Sequence, residues 1–82
     1  MTRVTIYSKP DCHLCDVVKE MIERVRAQRP FHLEVKNILD DPEAEQAYKH
    51  DIPVIMINGK ELARHKLSEQ RLLGALDRVA NA

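Results

Sequence analysis

VTIYSKPDCHLCDVVKEMIERVRAQ, residues 4–28, decides the fold. Residues 4–7 are β-branched and aromatic and are followed at once by turn-forming residues, which predicts a short strand that ends in a loop. From Cys12 onward apolar residues recur at helical spacing, which predicts a helix of about four turns that stops near Gln28, before Pro30. The apolar stripe of this helix contains Leu14, Val17, Val18, Met21, Ile22 and Val25.

A second strand and a short helix follow. In residues 31–36 apolar and polar side chains alternate, which predicts a strand with one buried face at the edge of a sheet. Its buried face would carry Phe31, Leu33 and Val35. Asp41 is placed to cap the next helix, with Pro42 at the first helical position and the end near His50.

The last third of the chain predicts a hairpin and a helix. Residues 54–57, VIMI, are apolar on both faces, as a central strand covered on both sides would be. Asn58-Gly59 predicts a tight hairpin turn, so residues 60–64 return as an antiparallel strand. Ser68 is placed to cap the last helix, with Leu67 before it packing on that helix. The apolar stripe of the last helix contains Leu72, Leu73, Leu76, Val79 and Ala80.

The predicted order is therefore β-α-β-α-β-β-α. A strand, helix and strand in succession predict a parallel pair, and the hairpin adds two strands to it. The fold class is α/β, with a four-stranded mixed sheet flanked by helices on both faces.

Length and composition exclude several classes of protein. The chain has 82 residues against roughly 150 for a typical domain, which predicts a single domain over residues 1–82. Thirteen basic residues balance thirteen acidic ones, whereas nucleic-acid binders carry an excess of Lys and Arg. The longest apolar stretch, residues 52–57, is far shorter than the about 20 residues of a membrane span. We therefore expect a monomeric cytoplasmic protein without nucleic-acid or membrane partners.

Cys12 and Cys15 are the two cysteines of the chain. A disulfide between them would close a very small loop and constrain the unfolded chain little, so their use is expected to be chemical. At a helix start, Cys12 lies near unpaired backbone N–H groups and the positive end of the helix dipole, which favour thiolate. Cys15 lies one turn further on, near enough to attack a mixed disulfide on Cys12 and release the product.

At these residues the chain resembles the glutaredoxin and thioredoxin superfamily, and most closely the small glutaredoxin-like proteins. The matching pieces are the strand at residues 4–7, SKPDCHLC at residues 8–15, Ile52-Pro53-Val54, and INGK at residues 57–60. The resemblance covers essentially the whole chain. It implies a thioredoxin-like fold of the glutaredoxin type.

The resemblance also implies roles for individual residues. Cys12 would be the nucleophile and Cys15 the resolving cysteine, and the two would form the redox-active disulfide. Ile52–Pro53 would be a cis peptide that faces the cysteine pair and leaves a backbone edge to pair with an extended substrate. Lys9 matches the basic residue that the family carries ahead of its motif, and we place His13 in the same substrate site.

Two segments depart from the glutaredoxins that use glutathione. The motif interior is His13-Leu14 where those proteins usually have Pro-Tyr, and residues 64–69, RHKLSE, lack their Gly-Gly pair. The candidate contacts for an anion or for glutathione are Arg64, Lys66, Ser68 and Glu69. Of these, Glu69 could stand where the glutathione-using proteins carry an acidic residue. Glutathione is therefore one candidate reductant, and a donor of the thioredoxin-reductase type is the other. No bound cofactor is expected.

The sequence favours a small dithiol thiol-disulfide oxidoreductase that acts on a disulfide-bearing protein or small molecule. Two other classes stay open. A zinc or iron–sulfur module would use the same cysteines, with His13 or His50 as added ligands, although the chain has no second cysteine pair. The other class is a redox-inactive interaction module that keeps the fold.

Overall fold

Residues 2–80, the part of the chain that the computed structural model describes, follow the predicted order of strands and helices. The elements are β1 (Arg3–Ser8), α1 (His13–Gln28), β2 (His32–Asn37), α2 (Pro42–Tyr48), β3 (Val54–Ile57), β4 (Lys60–Arg64) and α3 (Glu69–Ala80). A 3-10 turn, Ile38–Asp40, precedes α2 and was not anticipated from the sequence. The α/β class is confirmed. Within residues 2–80, no helix combines the length and the apolar character that a membrane span requires.

The four strands form one mixed sheet in the order β2-β1-β3-β4. β1 pairs in parallel with β2, and both β1 with β3 and β3 with β4 are antiparallel. β2 therefore lies at an edge and β3 inside, as predicted. The hairpin turn at Asn58-Gly59 has positive φ at both residues, 49° and 84°, which is why Asn and Gly suit it.

The core lies on one face of the sheet, between the strands and the pair α1 and α3. Its members are Val4, Ile6, Val18, Met21, Ile22, Val25, Phe31, Ile55, Ile57, Leu67, Leu72, Ala75 and Leu76. α3 enters this core as predicted: Ser68 Oγ accepts a hydrogen bond from the Arg71 N–H at 3.1 Å, and Leu67 and Leu72 on either side of the cap are both buried.

α2 covers part of the opposite face of the sheet. Tyr7, which follows the core residue Ile6 in β1, turns away from the core, and its ring centroid lies 5.0 Å from that of Tyr48 in α2. Thr5 lies on the same side and is buried, with its Oγ1 3.4 Å from Glu34 Oε1. Helices therefore flank the sheet on both faces, as predicted.

Four apolar residues that the sequence periodicity assigned to buried faces are exposed. The predicted buried faces of the helices and of β2 were therefore too wide. Val17 is half exposed because it lies about 100° around α1 from Val18, the first α1 residue of the core. Leu14, 53% exposed, lies about 100° around the first turn of α1 from Cys15, which is the buried residue of that turn. Val35 is half exposed because the neighbouring side chains of α1, such as Lys19 and Arg24, border a groove above it instead of covering it. Ala80 ends α3 in solvent.

Candidate functional site

The cysteine pair lies where the chain leaves β1 and enters α1. Asp11 has a φ of 63°, in the left-handed region that Asp tolerates better than most residues. At this residue the chain changes direction from the loop toward the helix. Cys12 is the N-cap of α1, and its Sγ accepts a hydrogen bond from the Cys15 N–H at 3.2 Å. The sulfur thus takes the place that a Ser or Asp oxygen usually has at a helix start.

The two sulfurs are bonded to each other and differ in exposure. The Cα atoms of Cys12 and Cys15 are 5.2 Å apart, a separation that a disulfide spans. Cys15 is 1% exposed, whereas Cys12 is intermediate. An external reactant therefore reaches Cys12 more readily than Cys15. Within residues 2–80, no three His, Cys, Asp or Glu side chains group in a way that could hold a metal ion.

The Ile52–Pro53 peptide is cis, as the resemblance implied, and the sheet brings it to the cysteine end of β1. Val54 pairs with Tyr7 in the antiparallel ladder, so Pro53 lies beside Ser8, from which the chain runs to Cys12. Ile52 is partly exposed, and among residues 2–80 neither its N–H nor its C=O has a hydrogen-bond partner. A free backbone edge therefore lies at the same end of the sheet as the disulfide.

The other residues predicted to contact a substrate or an anion differ in whether their side chains are already bound within the protein. Lys9 and His13 are exposed on either side of the Asp11–Cys12 turn. Lys66 and Glu69 are exposed near the start of α3, where the Ser68 Oγ already serves as the helix cap. All of them lie at loops or helix starts, and the structure leaves the side chains of Lys9, His13, Lys66 and Glu69 open to solvent.

Arg64 is engaged with two carboxylates. Its Nη1 donates to Asp51 Oδ2 at 2.8 Å, and its Nε and Nη2 donate to the two carboxylate oxygens of Glu61 at 2.8 and 2.9 Å. The hydrogen bonds from Arg64 lower the pKa of Glu61, and those to Glu61 raise the pKa of Arg64. Three of the five N–H donors of Arg64 are therefore in use, and a glutathione carboxylate would meet a guanidinium that already has two anionic partners.

The lowered pKa of Glu61 makes a pH-dependent contribution to folding stability. Because the folded-state value lies below the ordinary value of about 4.5, the contribution is present above that pH and is lost as pH falls through the lowered value. We expect Glu61→Gln to lower the urea midpoint at pH 7, and we expect this difference to shrink as pH falls below about 4.5 and the carboxylate of the wild type is protonated. A midpoint difference that persists unchanged at low pH would contradict this account.

Almost all of the described part of the chain matches a known protein family. A family model described as Glutaredoxin-like domain (DUF836) matches residues 3–77, which include every candidate site residue. The chain belongs to this glutaredoxin-like family. Its cysteine pair, helix cap and cis-proline are therefore features of a glutaredoxin-like domain.

Similar solved structures show the fold of the domain. Protein XcR50 from X. campestris is 33% identical, with a TM-score of 0.76, over 92% of this chain and 96% of that one. Protein Ne2328 from Nitrosomonas europaea is 24% identical, with a TM-score of 0.78, over 90% and 89% of the two chains. Thioredoxin 1 from Thermosipho africanus is 15% identical and has a TM-score of 0.71, over 96% and 94%. The glutaredoxin-like domain thus has the thioredoxin fold.

The sequence did not predict several side-chain contacts near the site of this glutaredoxin-like protein. Asp51 binds both Arg64 and His65, Tyr48 lies against the Arg64 guanidinium, and Tyr7 packs on Tyr48. The one available indication was the position of Asp51, two residues before Pro53. The others come from different elements, and no local spacing links them.

Proposed function

We propose that this glutaredoxin-like protein is a small dithiol thiol-disulfide oxidoreductase. The observation that carries the proposal is the contrast between the two bonded sulfurs: Cys12 is a partly exposed helix cap, and Cys15 is 1% exposed behind it. The backbone N–H that Cys15 donates to Cys12 Sγ and the helix dipole both favour a thiolate on Cys12 in the reduced protein.

In the first step the Cys12 thiolate attacks one sulfur of a substrate disulfide. The substrate S–S bond breaks, a Cys12–substrate disulfide forms, and the other substrate sulfur leaves as a thiolate that takes up a proton. Attack by Cys12 requires access from solvent, which its partial exposure supports.

In the second step the Cys15 thiolate attacks Cys12 Sγ. The mixed disulfide breaks, the second substrate thiol leaves, and the Cys12–Cys15 disulfide forms. Two electrons and two protons have then passed to the substrate. Because the two cysteine thiols supply the electrons, we propose that the protein works without a bound cofactor.

We place the substrate along the backbone edge at Ile52. The free N–H and C=O of Ile52 support pairing with an extended chain, as in strand addition to a sheet edge. Lys9 and His13, exposed beside Cys12, are proposed to contact the same substrate. A disulfide-bearing protein or peptide fits this edge, and a small disulfide can reach Cys12 without using it.

The experiment measures reduction of a protein disulfide under two separate couplings. One supplies glutathione with its reductase, and the other supplies thioredoxin reductase, each with NADPH. We expect turnover with at least one donor, and the donor that supports it identifies the physiological class. No turnover with either donor, together with stoichiometric zinc or iron in anaerobically purified protein, would favour a metal or cluster module instead.

A further inference from the structure

Arg64 connects the end of β4 to the loop between α2 and β3. Its guanidinium binds Asp51 in that loop and Glu61 in its own strand, and it lies 5.5 Å above the ring of Tyr48 at the end of α2. A bidentate bond to Glu61 fixes the plane of the guanidinium, which then presents Nη1 to Asp51 in one direction. These contacts therefore attach the loop to β4 on the face of the sheet opposite the core.

His65 attaches the same loop a second time. Its backbone N–H donates to the Pro53 C=O at 2.8 Å, and its Nε2 lies 3.2 Å from Asp51 Oδ1. His65 has a φ of 71° and stands at the centre of a three-residue turn closed by the Lys66 N–H on the Arg64 C=O. Such a conformation is uncommon for a residue other than glycine, and backbone strain of this kind concentrates at functional sites.

These contacts hold both flanks of Ile52. The Asp51 carboxylate, just before Ile52, is held by Arg64 and His65, and the Pro53 carbonyl, just after it, is held by the His65 N–H. Ile52 itself keeps its N–H and C=O without partners among residues 2–80. Arg64 and His65 therefore fix the backbone on both sides of the open N–H and C=O of Ile52.

We infer that Arg64 is a positioning residue for substrates that pair with the Ile52 edge. This inference rests on the proposed oxidoreductase function. Arg64 does not touch the reacting sulfurs; it holds the loop in the paired conformation before the substrate arrives, which reduces the entropy lost on binding. Its removal therefore weakens binding of an extended peptide and leaves attack by Cys12 unchanged.

The test compares two substrates with the same leaving group. One is 5,5′-dithiobis(2-nitrobenzoate), which has no peptide backbone, and the other is an extended peptide whose cysteine carries the same thionitrobenzoate. For Arg64→Ala we expect KM for the peptide to rise about fivefold, with kcat for the peptide and the rate with the small disulfide within about twofold of wild type. Arg64→Lys, which keeps the charge and loses the planar fork, is expected to give a smaller rise.

Arg29→Ala is the matched control. Arg29 Nη1 pairs with Asp77 Oδ1 at 2.6 Å, at a similar exposure of the arginine, and lies at the end of α1 away from the cysteines. The Arg29→Ala substitution removes one arginine–aspartate pair and leaves the Ile52 loop unchanged. We expect wild-type KM values for both substrates. If Arg64→Ala fails to fold, Asp51→Asn and Arg64→Lys are measured in its place.

The outcomes separate the two proposals. Equal peptide KM values for the Arg64 and Arg29 variants would overturn the positioning role alone. An equal loss of rate by Arg64→Ala with both substrates would also overturn the positioning role. That result would mean that the substitution damages the cysteine site in general. If the wild-type protein reduces neither substrate, the oxidoreductase proposal fails first and the positioning role fails with it.

Discussion

Cys12→Ser is expected to lower the rate of disulfide reduction at least about a thousandfold. A serine hydroxyl is a poor nucleophile at neutral pH and forms no stable bond to a substrate sulfur. Cys15 cannot take over the attack because it is 1% exposed and lies behind Cys12. The measurement is initial rate of protein-disulfide reduction with the donor that supports wild-type turnover.

Cys15→Ser provides the control for this effect. It removes the second exchange and leaves the first, so the protein should react once and stop with the substrate attached to Cys12. Its single-turnover rate should stay close to that of the wild type, whereas its steady-state rate depends on an added thiol to release the product. Wild-type turnover by Cys12→Ser would exclude the proposed nucleophile.

The second large effect concerns folding stability. Leu72→Ala is expected to lower the free energy of unfolding by about 2–5 kcal/mol, because Leu72 is fully buried in the core between α3 and the sheet. A loss of that size is a large fraction of the total stability of a small domain. Urea denaturation followed by circular dichroism measures it.

Leu14→Ala is the matched substitution for Leu72→Ala. It is the same chemical change in a helix, at a side chain that is 53% exposed, and we expect it to change the free energy of unfolding by no more than about 0.5 kcal/mol. Periodicity alone placed both leucines on buried stripes and would give them similar costs. Equal losses for the two variants would therefore support the sequence pattern over the structure.

Local patterns were sufficient to predict the order of the elements. The strand before Cys12, the cap at Ser68 and the turn at Asn58-Gly59 each depend on a few neighbouring residues, and all three occur as predicted. Val35 shows where local patterns stop being sufficient. Its alternation with polar neighbours is correct for a strand, but whether a strand residue is covered depends on where α1 crosses the sheet. That position is a property of the tertiary packing.

The candidate site also contains residues that local sequence predicts and contacts that only the tertiary structure shows. Cys12, Cys15 and Pro53 were found from motif and resemblance, because their chemistry depends on spacing along the chain. Arg64 was read as a free anion contact, since no local pattern indicates that Asp51, thirteen residues earlier, meets it. Their meeting depends on the pairing of β3 with β4 and on the path of the loop after α2.

The most direct test of the account compares two single-cysteine proteins. Cys15→Ser retains Cys12, and Cys12→Ser retains Cys15; each is mixed with 5,5′-dithiobis(2-nitrobenzoate), and the release of thionitrobenzoate is followed in buffer and in urea. We expect Cys12 to react at least about tenfold faster than Cys15 in the folded proteins, and the two rates to converge in urea. Equal rates in the folded proteins, or a faster Cys15, would contradict the assignment of Cys12 as the attacking sulfur.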